Sequence, residues 1–495
     1  MATTMQSKAA MLTRHLCNPI LAAVALAVVA LPGAALTPVA AIDEAFRQKN
    51  WAEIERRSLR WAQEINPDVL EVQAMAAAGM TDEAIAAARK SQPWQHPRLL
   101  LAAADGSDLP TPRKLEIVKA AFAAAQADAI PSRSRVEGLA QVAIVFARLS
   151  ADDSAHQAFE AAMANAKLNS RDGAYGILAD GLVPVTGTTD APMWMLDGVA
   201  SQVGDLPASD EVRVHRALAL GYFRVHQTKK ANAQLAIALS GAQKLSERRE
   251  KRVAVQSLAR LALDNDELDF ARRHGDLDEL GVELAVYYAR RNEQVKALAE
   301  IAKLGSGNLY VSPKQAAALT IINDAIERRA THTAMTYCAM LCQSLGTYEI
   351  KVRTRIGQLQ AQEGQRDSAK ANFLRAKELL PLDPQIAARD VLATLDLALA
   401  AEASGLHALA KEAVEAAVEQ TMYVSLARRK AERPLSEARS SYALAELGDR
   451  AKATEMLLRA WSGTRDLADD YLGGKREKAE TLLAIARAAR VLAAR

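Results

Sequence analysis

Residues 350–383 read IKVRTRIGQLQAQEGQRDSAKANFLRAKELLPLD, and the spacing within them decides the fold. Small or apolar side chains stand at Ile356, Gly357, Gly364, Ala369, Phe373 and Ala376, followed by Pro381. Gly357 on a first helix and Ala369 on a second leave room for the two helices to cross closely. Phe373 fills the wedge between them. Pro381 ends the second helix, because proline has no N–H for the i→i−4 bond.

The same order recurs in both directions. Upstream, Gly79 and Ala84 take the roles of Gly364 and Ala369. Ala143, Phe146, Ala155, Phe159 and Ala162 form a copy, and Ala219, Tyr222, Ala231, Leu235 and Ala238 another. Ala259, Ala262 and Ala271 continue the series, then Ala285, Tyr288, Ala297 and Ile301, then Ile322, Ala334, Cys338 and Leu341. Downstream lie Ala398, Gly405, Ala410, Val414 and Ala417, and last Gly448, Ala453, Leu457 and Ala460. From Ala297 the marker alanine steps by 37, 35, 41 and 43 residues.

This pattern resembles the tetratricopeptide repeat, a helix–turn–helix unit of about 34 residues. The resemblance implies an all-α, right-handed superhelical solenoid of antiparallel helix pairs. The longer intervals imply extended turns or helices, and a HEAT-like or irregular α-solenoid is the alternative. No sustained period-2 run bounded by hairpin turns competes with helix.

Composition agrees. Half of the 495 residues are hydrophobic yet only 4% are aromatic, so the apolar content is mostly alanine and leucine, which favour helix. Basic and acidic residues number 62 and 59. That balance argues against nucleic-acid binding, which needs a surplus of phosphate-neutralising cations.

Residues 1–41 have the layout of a signal peptide. Lys8 and Arg14 form a basic start, residues 20–31 are an unbroken apolar core, Pro32-Gly33 breaks it, and Val39-Ala40-Ala41 offers a cleavage site. The expectation is an exported chain, periplasmic or secreted, with no stable membrane insertion once the signal is removed. An N-terminally anchored chain is the alternative, since residues 20–42 carry no charge. Residues 42–168 and 211–495 then read as tetratricopeptide-like repeats, the latter ending in a capping helix. Residues 169–210, rich in Gly, Pro and Thr around Trp194, read as an irregular, divergent repeat.

Chemistry-bearing motifs are sparse. Leu472-Gly473-Gly474-Lys475 reads as a turn without phosphate-loop spacing. The histidines after the leader (His96, His156, His215, His226, His274, His332, His407) are scattered, and no serine lies in a nucleophile elbow. Asp152-Asp153 and Asp469-Asp470 fall where acids complement helix starts. Cys338 and Cys342 lie on one helical face, a geometry poor for a mutual disulfide, and two thiols fall short of a four-ligand zinc site. The expectation is core packing by two free thiols. No catalytic residue, cofactor or metal is expected, and the chain reads as a non-enzyme.

In tetratricopeptide arrays the first helices line a concave groove. By register, Arg148, Arg224 and Arg290 occupy the place of Gln362, with Arg213, Arg216 and Arg260 nearby. The resemblance implies a scaffold or adaptor whose groove binds a protein or peptide partner, with these arginines offered to an acidic ligand. The alternatives are an accessory arm of an envelope hydrolase or of a secretion or assembly complex, and a self-assembling structural protein.

Overall fold

A computed structural model describes residues 37–494 except 67, 128, 171–172, 184–190, 205, 306–311, 347, 381–390, 425–431, 466 and 468–473. Pro381, Asp469, Asp470 and the part of the expected signal segment before Thr37 lie outside the described residues. Every regular element described is helical.

The unit is the hairpin of a first and a second helix. α1 (Pro38–Arg47) and α2 (Trp51–Ile65) lead into α3 (Val69–Ala77) with α4 (Thr81–Lys90). Then come α5 (His96–Gly106) with α6 (Thr111–Gln126), and α7 (Ser132–Arg148) with α8 (Asp152–Leu168). α9 (Ala174–Leu182) pairs with α10 (Met193–Gln202), and α11 (Ala208–Arg224) with α12 (Thr228–Lys244). α13 (Arg248–Asp264) pairs with α14 (Leu268–His274), and α15 (Gly281–Arg290) with α16 (Gln294–Lys303). α17 (Pro313–Glu327) pairs with α18 (Thr331–Leu341), and α19 (Tyr348–Gln362) with α20 (Arg366–Glu378). Last come α21 (Val391–Ala403) with α22 (His407–Thr421), α23 (Glu432–Glu446) with α24 (Arg450–Arg465), and α25 (Gly474–Ala494).

Local chemistry makes each turn. In the α19–α20 turn Gly364 adopts φ +79°, and the Gln365 N–H bonds back to the Gln360 carbonyl at 2.8 Å. That is the left-handed helix ending for which glycine is favoured. The same turn ends α17 with Arg329 at φ +57°, and Ala330 N–H bonds the Ala325 carbonyl at 2.8 Å. The second helix follows at once and crosses over small side chains. Ala84, Ala155, Ala231, Ala271, Ala297, Ala334, Ala369, Ala410 and Ala453 are all buried. A Cβ on Gly357 would stand 2.7 Å from the Phe373 ring, so the wedge expected from sequence is present.

Hairpins then stack in series. α3 touches α5, α5 touches α7, and the succession of odd-numbered helices continues to α23 and α25. Second helices make their main contacts with first helices. Helices that touch their own kind lie at the smaller radius of a curved array, so the odd-numbered helices form the inner wall. α9 and α10 hold one place in this series, with His156 stacked on Trp194 at 3.9 Å between ring centres.

The array also closes. α25 packs along α2 as closely as the two helices of a hairpin pack, and it touches α3. The two ends of the chain thus build a twelfth hairpin, and the circuit of first helices returns to its start. α1 reaches α24, where Phe46 stacks on Trp461 with 5.9 Å between ring centres. Lys478 lies over the Trp61 ring at 4.6 Å, and Arg490 pairs with Glu55 at 2.6 Å. Ile42, Phe46, Ile54, Leu482, Ile485 and Leu492 are buried in one shared core. At about 1.5–3 kcal/mol per large apolar side chain, closure contributes on the order of 10 kcal/mol before the cost of ordering the ends.

α25 keeps Arg476, Arg487 and Arg490 exposed, while α2 and α23 pack against it. Two expectations are corrected here. Gly474 and Lys475, expected in a turn, open α25. Cys338 and Cys342 form a disulfide and are not free thiols. The α-helix stops at Leu341, and Cys342 begins a tighter 3-10 turn through Leu345, bringing the two Cα atoms to 4.7 Å. An uninterrupted α-helix would hold the two Cβ atoms about 5–6 Å apart, wider than a disulfide spans easily. Both cysteines are buried, so the expected core position is kept.

At the other boundary, Thr37 accepts a hydrogen bond from Ala40 N–H, and Ala41 is buried. Val39-Ala40-Ala41 thus lies in the opening turns of α1. Among the described residues no helix is long and apolar enough to cross a membrane.

Candidate functional site

The inner wall carries the arginines expected to face a ligand, and the chain itself supplies their partners. Arg148 on α7 pairs with Asp105 on α5. Arg213 on α11 reaches Asp180 on α9 at 2.6 Å, and Arg260 on α13 reaches Glu283 on α15 at 2.9 Å. Arg290 on α15 forks onto Asp324 of α17 at 2.7 and 3.0 Å and donates to the Asp264 carbonyl at 2.9 Å. Arg216 donates to Ser257 Oγ at 3.1 Å. Arg224 is half-buried at the end of α11.

These contacts are rungs between consecutive hairpins. They fix the spacing of the first helices, and a ligand carboxylate would have to exchange with an internal one. Most are solvent-accessible, so each contributes about 0–1 kcal/mol. Arg290 is the most enclosed, with its side chain 23% exposed. Burial beside it pushes the Asp264 carboxyl up against the pull of Arg290, with Glu283 and Asp324 adding to the rise.

A cleft with a different character lies on the same wall where α21, α23 and α25 meet. It encloses about 450 Å³. Leu392, Leu395 and Leu399 of α21 and Leu483 of α25 make an apolar lining, and Asp396, Arg439 and Arg487 stand around it. The Arg487 guanidinium lies over the Tyr442 ring at 4.5 Å. Asp396 is open to solvent yet enclosed by the concave wall, which pushes its carboxyl up against the pull of Arg439 and Lys351. Among the described residues, neither Arg439 nor Lys351 has a carboxylate within ion-pair distance. Both attract Asp396 at longer range, and Glu480 lines the same cleft.

Sequence reasoning missed Arg439, Lys351 and Asp396. The signal was one of spacing: Asp105, Asp180 and Asp324 stand 43, 33 and 34 residues from their arginines, about one repeat each. An acid one repeat away marks an arginine as a rung. Two other clefts, of about 780 and 440 Å³, sit at the hairpin tips around Gly405 and Gly448. The larger gathers Gln362, Arg366 and Ser404 with alanines and no opposed charges beyond Glu402, so it offers less chemistry than the inner cleft. Among the described residues no group of His, Cys, Asp and Glu is placed to hold a metal ion.

No family model matches this chain, and no curated protein matches it. Among solved structures, the crystal structure of the APC/C hetero-tetramer Cut9–Hcn1 is similar at 14% identity, covering 86% of each chain, with a TM-score of 0.23. Superposition that loose carries no argument about this chain. Its own hairpins do: small side chains at each crossing, left-handed turn residues and first helices in unbroken contact make it a tetratricopeptide-like α-solenoid.

Proposed function

We propose that the protein is an exported, non-catalytic scaffold whose inner wall binds a protein or peptide partner. The carrying observation is the cleft between α21, α23 and α25, where Arg439 stands beside a leucine lining, with Lys351 of α19 acting on the same Asp396 and neither cation in an ion pair among the described residues. That combination suits a partner segment with an apolar side chain next to a carboxylate. Arg148, Arg213, Arg260 and Arg290 engage the same partner only by exchange with their internal acids, and Arg216 and Arg224 flank that stretch of wall. The superhelical sense is the right-handed one of tetratricopeptide arrays.

Export is supported by the layout of residues 1–41 and by the Cys338–Cys342 bridge, a bond that persists in oxidising compartments. A second reading follows from α1. Thr37 caps that helix and Ala41 lies within it, so a retained leader that anchors the chain at its N-terminus would leave α1 whole.

Fluorescently labelled acidic peptides containing leucine, titrated into the purified chain, test the cleft. Arg439→Ala with Lys351→Ala should weaken binding about tenfold or more, as loss of a charge-assisted hydrogen bond does. Equal affinity for the variant and the parent, or equal binding of the matching basic peptides, would remove the proposal.

A further inference from the structure

Glu71 lies on α3, where the circuit of first helices closes. Its side chain is buried in the residue sense, at 3% exposure. Oε1 accepts a hydrogen bond from Asn66 Nδ2 at 3.0 Å, whereas the buried Oε2 has no hydrogen-bond partner among the described residues. A buried carboxylate with one oxygen unsatisfied is costly in its ionised form.

Its surroundings add to that cost. From α25 Glu480 acts on it, and from the turn before α3 Asp68 does, both negative. Glu480 is bonded to Arg476 at 3.1 Å and Asp68 to Arg98 of α5 at 3.2 Å, which moderates both. The acids of α4 turn elsewhere, Glu83 toward Arg60 of α2 and Asp82 toward Arg113 of α6. No cation is thus paired with Glu71 itself among the described residues.

We propose that Glu71 is a pH-sensitive latch on the seam where α2, α3 and α25 meet, closing the ring more firmly when neutral and loosening it when ionised. Burial pushes its carboxyl above the ordinary glutamate range, Asn66 and the residue's own backbone N–H oppose the rise, and Asp68 and Glu480 add to it. The sign follows. The closed state holds the proton more tightly than the opened state, so closure is fully favoured below the ordinary glutamate pKa. It weakens as pH rises through the higher value of the closed state.

Hydrogen exchange of the full chain, corrected for intrinsic rates and followed from about pH 4.5 to about pH 8, reads the latch directly. α2 and α25 should lose protection as pH rises, about tenfold for each unit by which burial raises the carboxyl. α11 and α12, across the array, should not share that loss. Glu71→Gln should abolish the seam-specific response, and Glu480→Gln should shrink it. A response in both variants as large as in the parent, or one spread equally over α11 and α12, overturns the proposal.

Discussion

Trp461 Nε1 donates to Asp43 Oδ1 at 2.7 Å across 418 positions of sequence. That bond, between the last complete hairpin and the first helix, places the two ends of the chain side by side. An open superhelix has two ends that differ from its middle. Here the ends complete one another, and the inner wall acquires a boundary. The cleft lined by Asp396, Arg439 and Arg487 lies beside this closure, so its shape depends on α25 being held by α2.

Gly357 and Phe373 give the sharpest test of the hairpin crossing. Gly357→Ala gains up to about 1 kcal/mol of helix propensity but drives a methyl into the Phe373 ring. Overpacking of that kind costs about 1–3 kcal/mol, so a net loss of stability is expected in denaturant unfolding. Adding Phe373→Leu should recover part of the loss. A cycle in which the two changes simply add would show that the side chains do not meet.

Left-handed turn residues supply a prediction of opposite sign. Arg329, at φ +57°, holds a conformation that costs an ordinary residue about 1 kcal/mol or more relative to glycine. Arg329→Gly should raise stability by up to about that amount, whereas Gly364→Ala at the equivalent turn should lower it. Thermal unfolding of the two variants beside the parent reads both changes, and the same direction for both would contradict the turn geometry.

The disulfide is tested by counting thiols. Alkylation of the denatured, unreduced chain should leave Cys338 and Cys342 unmodified, and reduction should release both. The loop they close is short, so Cys342→Ser together with Cys338→Ala should cost only about 2 kcal/mol by chain entropy. Modification of either cysteine without reductant would restore the free-thiol expectation.

Export and the fate of α1 are tested by the mass of the mature chain recovered from cells. A mature N-terminus at or before Thr37, or a retained leader, agrees with the capped α1. Cleavage after Ala41 would truncate it, and the contact between Phe46 and Trp461 would then rest on a shortened helix.

Much of the repeat was legible because it is written locally. Ala369, Ala410 and Ala453 declare their crossings by size, and Gly364, Gly405 and Gly448 declare their turns by backbone freedom. At Arg329 and His226 the same turn is built without glycine, so sequence alone underweights it. The partners of Arg213 and Arg290 lie one repeat away, where an inspection of single helices does not look. Closure was hidden more deeply. The amphipathic pattern of α25 shows that its apolar face needs cover, but nothing local names α2, more than 400 residues earlier, as part of that cover. The 3-10 turn at Cys342 was hidden too, because an i,i+4 spacing reads as helix until the helix ends.

The central claim is that stacked hairpins close into a ring through α2 and α25. Spin labels at Ala52→Cys on α2 and Ala493→Cys on α25, with Cys17→Ser to remove the remaining thiol, measure it by dipolar coupling. Packed helices lie about 8–10 Å apart, so allowing for helix length and label arms the distances should form one population below about 40 Å. A broad population extending well beyond that span would mean that the ends of the solenoid stand apart, and the ring would be contradicted.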